Sequence, residues 1–386
     1  MVAKYVVAGV IFLSATHLSA DPVELSSAFR VTGFTDLPTN GDVNKSPLYT
    51  GRLDAYFTMN NIWDGGLLNL QLEYVDGDDF IGLGSAGVIW PTNVYSALPR
   101  ITGPGNANVS LFLSHQFNEN ASLSFGKFNA IEMADQLPIS GGKGKGGFLY
   151  TGIAAPASFV LPPYVLGGIA SIATPKVNYS LFIYDPNNAQ GSEFLDELFS
   201  DGVVFNTSST YKALFSDKPG FYGLNIIYST QDGINFSNSS PGPLVDVFFR
   251  KTKGVGFAAL NFQQYLSYSP DRPNEGWGIF GQVGVGSSGN QLDNNYIFGI
   301  AGASPIRGRE DDRIGLAWSL YDWSDGLVQQ FLRTGGGLQD EWAVEAFYES
   351  EITEIFRLGA NVMMVRPGLS NYTDYFQVGL RVKAAF

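Results

Sequence analysis

The chain has 386 residues, with 23 Lys and Arg against 36 Asp and Glu, and 29 Phe, 19 Tyr and 6 Trp set among few charges. With 0 Cys and 2 His, disulfide scaffolds and thiolate metal sites are excluded and little imidazole chemistry is left. A formal net charge of -13 speaks against a nucleic-acid partner, which wants a basic stripe.

Residues 1–20 read as a secretory signal peptide: Lys4 opens it, an apolar core follows, and Leu18-Ser19-Ala20 is an acceptable cleavage site. No later stretch offers about 18 uninterrupted apolar residues, so no membrane-spanning helix is expected. Nothing in composition marks a second domain, and residues 21–386 read as one.

From there the pattern is period two. Residues 29–35 make a short first strand and residues 38–47 a turn-rich break. Leu53, Ala55 and Phe57 then alternate with Arg52, Asp54, Tyr56 and Thr58. A tight turn at 60–66 leads into Leu68, Leu70, Leu72 and Tyr74, opposed by Asn69, Gln71 and Glu73. This hairpin can place both apolar rows on one face and both polar rows on the other. The device recurs along the chain, which gives sixteen strands of roughly 8 to 13 residues, with fourteen or eighteen left open by residues 200–254. The turns sort into a short set (60–66, 117–121, 172–176, 216–220, 267–275, 304–312, 350–353) and a mostly long alternate set (36–48, 75–106, 130–163, 186–207, 231–253, 287–293, 324–340, 366–374). Short turns on one rim and long loops on the other are the mark of an antiparallel transmembrane β-barrel. The last run completes it: Phe376, Val378, Leu380, Val382, Ala384 and Phe386 face one way, Gln377, Arg381 and Lys383 the other. Aromatic residues near strand ends, Trp63, Trp277, Tyr348 and Phe386 against Tyr74, Tyr228, Tyr296 and Tyr375, read as two interfacial girdles.

The polar face then lines a water-filled passage. Its charged members, Arg52, Asp54, Glu73, Arg313, Glu345, Arg357 and Arg381, are the candidate pore-lining residues. Arg52 with Asp54, or Arg357 with Glu345, could instead brace the wall. Tyr56, Phe280, Tyr321 and Phe347 share the inward parity and offer a track for sugar rings. Residues 75–106 and 130–163 are long enough to narrow the pore. The second contains Gly142-Lys143-Gly144-Lys145-Gly146-Gly147, which lacks the strand–loop–helix context of a phosphate cradle. The acids Glu310, Asp311 and Asp312 lack calcium-loop spacing, and no HExxH or nucleophile elbow occurs. Neither an enzyme, a metal nor a cofactor is expected.

Several blocks resemble the carbohydrate-selective porins of Gram-negative outer membranes, the OprB-type family. They include Trp63-Asp64-Gly65-Gly66 within residues 49–74, Pro162-Pro163-Tyr164-Val165-Leu166-Gly167-Gly168 and Asp185-Pro186-Asn187-Asn188-Ala189-Gln190. Towards the end stand Arg309-Glu310-Asp311-Asp312-Arg313-Ile314-Gly315-Leu316-Ala317-Trp318, Asp340-Glu341-Trp342 and Val365-Arg366-Pro367-Gly368. The resemblance implies a monomeric sixteen-stranded barrel in outer-membrane lipid that passes glucose and related small sugars down their gradient. It also implies that Phe386 is read by the barrel-insertion machinery. A general or organic-acid-selective porin on the same barrel is the alternative.

Overall fold

A computed structural model describes residues 23–386 except 41–45, 101–104, 136, 142–145, 190–194, 196, 235–250, 271, 288 and 334. The signal-peptide reading of residues 1–20 and most of the glycine–lysine run therefore lie outside the described residues.

The strands are β1 (Glu24–Asn40), β2 (Leu48–Asn60), β3 (Gly66–Gly77), β4 (Ala107–Asn118), β5 (Ala121–Asn129), β6 (Tyr164–Ala173), β7 (Val177–Tyr184) and β8 (Val204–Phe215). They continue as β9 (Lys218–Ile234), β10 (Lys251–Ser269), β11 (Arg272–Gly286), β12 (Leu292–Ala303), β13 (Arg313–Trp323), β14 (Glu341–Glu351), β15 (Phe356–Arg366) and β16 (Tyr375–Ala385). Each pairs antiparallel with its chain neighbours, and β1 pairs with β16 to close the barrel. Closure leaves no row of unpaired backbone groups for lipid to meet. The expected sixteen strands and both turn sets are present, and the stretch around residues 200–254 resolves into β8, β9 and β10.

Two expectations are corrected. The first strand is not a short run over 29–35 but 17 residues long. Residues 24–29 are exposed and barely alternate in hydropathy, so only backbone pairing marks them: Glu24 lies opposite Asn60 and Ser27 opposite Phe57. Tyr375 does not belong to a girdle. It has the parity of Gln377, is 0% exposed, and donates its hydroxyl to Gln377 Oε1 at 2.6 Å. Trp63, Tyr74 and Tyr228 do face outward.

The outer row of β16 is apolar, with Phe376, Leu380 and Val382 exposed and Val378 partly so, and Gln377, Arg381 and Lys383 of its inner row are buried. The seam is finished by reciprocal backbone bonds between Phe29 and Phe386, at 3.0 and 2.8 Å. Leu380→Arg, at the middle of this lipid face, is expected to destabilise the barrel by about 2–4 kcal/mol. The readout is a lower temperature for the heat-induced gel-mobility shift; an unchanged midpoint would mean that this face does not meet lipid.

The interior is not open. The β3–β4 loop carries a short helix α1 (Val94–Ala97), and the β5–β6 loop carries α2 (Ala130–Asp135) and α3 (Thr151–Ala154). Both fold into the barrel and pack on each other, with Val94 N donating to Leu149 O and Thr151 N to Pro91 O, each at 2.9 Å. Phe148 wedges between Phe280 and Phe347, with ring centroids 5.7 and 4.9 Å away. Room for those rings comes from inward glycines: a Cβ on Gly299 would sit 2.5 Å from the Phe280 ring, and one on Gly315 2.8 Å from Phe148. A helix α4 (Asp325–Arg333) in the β13–β14 loop packs Leu327, Val328 and Phe331 against a cluster around Trp323 at the mouth.

Candidate functional site

Pairing of β2 with β3 sets Asp54 directly opposite Glu73 on the lumen side. Two like charges there would repel, and Arg52, two residues along the same face, resolves the conflict. Its guanidinium bonds Asp54, at 3.0 Å from Nε to Oδ1, and pairs with Glu73. The remaining nitrogen, Nη1, donates to Tyr95 O at 3.1 Å and Leu98 O at 2.7 Å, at the end of the inward β3–β4 loop. Arg52 is 3% exposed and Asp54 0%. Asp54, Glu73 and Glu132 bring carboxylate oxygens within 4.8 Å of one another, with Arg52 bonded to the first two.

On β14 the even spacing of Glu341, Glu345 and Glu349 points three carboxylates inward along one strand. Glu341 accepts from Ile89 N at 2.6 Å, Trp90 N at 2.9 Å, Gly368 N at 2.8 Å and the Tyr150 hydroxyl at 2.7 Å. Glu345 accepts from Leu149 N at 2.9 Å and Tyr150 N at 3.0 Å. Glu349, nearest the short-turn rim, gathers Lys383 at 3.0 Å, Arg381 at 3.5 Å and Arg357 at 3.7 Å. Arg381 also donates to Gly147 O at 2.7 Å, and Arg313 to Gly141 O at 2.5 Å. The charged wall therefore binds the backbone of the inward loops: carboxylates take amide N–H groups, guanidinium groups take carbonyls. Charge-assisted bonds of this kind are about twice as strong as neutral ones.

The seven predicted residues thus fall into several groups. Arg52, Asp54 and Glu73 form one cluster, Glu345 and Arg381 hold residues 147–150, and Arg313 holds 139–141. Arg357 lies apart near the short-turn rim and pairs with Glu351 and Glu349, not with Glu345. The register explains this, since Arg357 lies opposite Glu351 while Glu345 faces Met363. The aromatic track is also broken up. Tyr321 gives its hydroxyl to Gly152 O at 2.7 Å, Phe347 lies under Phe148, and Tyr56 accepts from Arg30 at 3.0 Å. The turn acid Asp312 is structural as well: it takes Arg309 Nε and Glu351 N, each at 2.8 Å, and the Tyr348 hydroxyl.

The other half of the wall has a different chemistry. A chamber of about 260 Å³ runs beside β7 to β11, lined by Ser180, Asn206, Ser208, Asn225, Asn261 and Gln282. Met133 and Leu137, on and beside α2, face them, and Phe280 stands at the edge. Ser180 and Ser208 share a 2.6 Å hydrogen bond, whereas Asn225 Oδ1 finds no partner among the described residues. The sequence places Gln282 on the inward face, but Ser180, Asn206, Ser208, Asn225 and Asn261 escape notice, because charges stand out in a strand and small neutral side chains do not. The signal was there: Ser180 with Phe182, Asn206 with Ser208 and Thr210, and Asn261 with Gln263 hold the inward parity. A neutral wall of hydroxyls and amides can donate to and accept from a polyol without stripping water from a charge. It holds such a solute weakly enough to release it, as passage requires.

Residues 162–386 match the profile of a family described as carbohydrate-selective porin, OprB family. Among solved structures the fold is similar to that of Pseudomonas putida OprB at high pH, with 15% identity over 94% of both chains and a TM-score of 0.74. Acinetobacter baumannii OccAB4 is similar at 8% identity over 95% of this chain and 99% of that one, with a TM-score of 0.53. No curated protein matches the chain. At these identities the structural likeness speaks to the barrel fold.

Proposed function

Since the chain belongs to the OprB family of carbohydrate-selective porins, we propose that small neutral sugars diffuse along the uncharged wall of β7 to β11, while the charged wall holds the loops that narrow the passage. Family and barrel together describe an outer-membrane channel of Gram-negative cells rather than an enzyme. The observation that carries the route is the chamber of about 260 Å³ into which neutral hydroxyls and amides project beside the apolar side chains of Ile169, Phe182, Phe221 and Phe280, with no charged side chain among the described residues of its lining. An organic-acid porin on the same barrel would need a cation presented to the passage. Among the described residues, Arg52, Arg313, Arg381 and Lys383 instead hold carbonyls or carboxylates, which supports the sugar reading. One chain encloses the whole passage, so a monomer would be a complete channel, and the Phe386 end of the seam is where insertion machinery would engage.

The test is sugar block of ion current in planar bilayers. Asn225→Leu and Asn261→Leu are each expected to raise the half-blocking glucose concentration about fivefold, the loss of one hydrogen bond of ~1 kcal/mol. Unchanged block in both variants would remove this wall from the route. Block by succinate with indifference to glucose would replace the sugar reading.

A further inference from the structure

Above the neutral chamber, towards the long-loop rim, lies a second one of about 390 Å³. Its lining has fewer polar groups than the inner one: Leu83, Trp90, Ile131, Phe159, Pro162 and Pro186, with the polar side chains Ser229 and Gln231 on the barrel wall. The two chambers adjoin, since Ala130, Ala134, Pro156 and Leu161 line both. Trp90 and Phe159 lie 5.0 Å apart, and Trp90 stacks on Trp323 at 6.0 Å, so the aromatic wall is held from behind.

Two features show that this surface is built rather than left over. Leu83 and Phe159 both have left-handed backbones, with φ of 53° and 56°. For bulky side chains that conformation costs on the order of 1 kcal/mol or more each and persists only where surrounding contacts impose it. Leu83 is also 63% exposed, an apolar side chain kept at a water-filled mouth. A solute meeting these chambers in order finds an aromatic and aliphatic compartment, then one in which hydroxyls and amides stand among apolar side chains.

Building on the sugar route above, we propose that the channel binds glycosides with an apolar aglycone, aryl glucosides in particular, better than it binds free sugars. The aryl group occupies the outer chamber while the sugar ring enters the inner one. The aryl group then lies where polar groups are few, and the sugar ring where the hydroxyls and amides are concentrated. A free sugar uses only the inner wall and a free phenol only the outer.

Planar-bilayer recordings on the whole barrel, with methyl β-glucoside, phenyl β-glucoside and phenol as probes, test this. Phenyl β-glucoside is expected to half-block at about tenfold lower concentration than methyl β-glucoside, from burial of one ring, and phenol alone to block poorly. Leu83→Asn and Phe159→Asn together should abolish the difference while leaving methyl β-glucoside block as it was. Asn accepts the left-handed region readily, so the fold is kept, as heat-modifiable mobility would verify. Equal block by the two glucosides, an aryl preference that survives the Asn pair in a folded barrel, or phenol as effective as its glucoside would each overturn the inference while leaving the sugar route intact. No block by either glucoside would overturn the sugar route itself, and the inference with it.

Discussion

Glu341→Ala is expected to raise single-channel conductance and weaken sugar block while the barrel itself stays folded. The carboxylate accepts four hydrogen bonds, from Ile89 N, Trp90 N, Gly368 N and the Tyr150 hydroxyl, and is 0% exposed. These donors come from the β3–β4, β15–β16 and β5–β6 loops, so one side chain ties three loops to one strand. Alanine leaves all of these donors without their acceptor inside the barrel. Bonds to a charged acceptor contribute about 1.5–3 kcal/mol each and some donors will find water, so loop docking should weaken by roughly 4 kcal/mol. That shift changes the ratio of docked to released loop about a thousandfold. The strand ladder is untouched, because Glu341 pairs with Tyr321 through its backbone. Glu341→Gln keeps one acceptor oxygen and brings an NH₂ against backbone donors, so it should fall between the two. Native heat-modifiable mobility with unchanged conductance in Glu341→Ala would show that these loops do not narrow the passage.

The contrast between the two walls also explains what could be read from sequence. Alternation is local: Phe376 to Phe386 declares its two faces within one strand, and a turn such as Asn118-Glu119-Asn120 is marked by its own residues. Sixteen strands and two turn sets followed from such signals. The path of the inward loops did not, because what holds them lies far along the chain. Leu149 meets Glu345 across 196 residues, and Ile89 meets Glu341 across 252. Strand parity placed Arg52, Asp54, Glu73, Glu345 and Arg381 on the inner face without showing that loop backbone covers them. Residues 24–28 escaped notice for a different reason. They carry little alternation and belong to β1 only through pairing with β2.

Coverage of that kind makes Arg52 the second position of large effect, and it separates stability from gating. Arg52→Ala strands Asp54 and Glu73 opposite each other, both nearly inaccessible, and removes the guanidinium that bonds both, while Asn108 Nδ2 still donates to Glu73 at 3.0 Å. Breaking a buried ion pair by removing one partner costs about 3–5 kcal/mol, because a charge is left uncompensated. The midpoint of heat-induced unfolding should drop clearly. The same change deletes the bonds to Tyr95 O and Leu98 O, so the β3–β4 loop loosens and conductance rises. Replacing the whole cluster, with Arg52→Met, Asp54→Asn and Glu73→Gln together, removes the stranded charges but not the lost loop bonds. Stability should therefore return close to wild type while conductance stays high. Arg52→Lys keeps the charge but cannot fork to two carboxylates and two carbonyls at once, so it should hold the barrel better than the loop. If the neutral triple variant is as unstable as Arg52→Ala, charge stranding is not what the arginine prevents. If it conducts like wild type, the loop is held elsewhere.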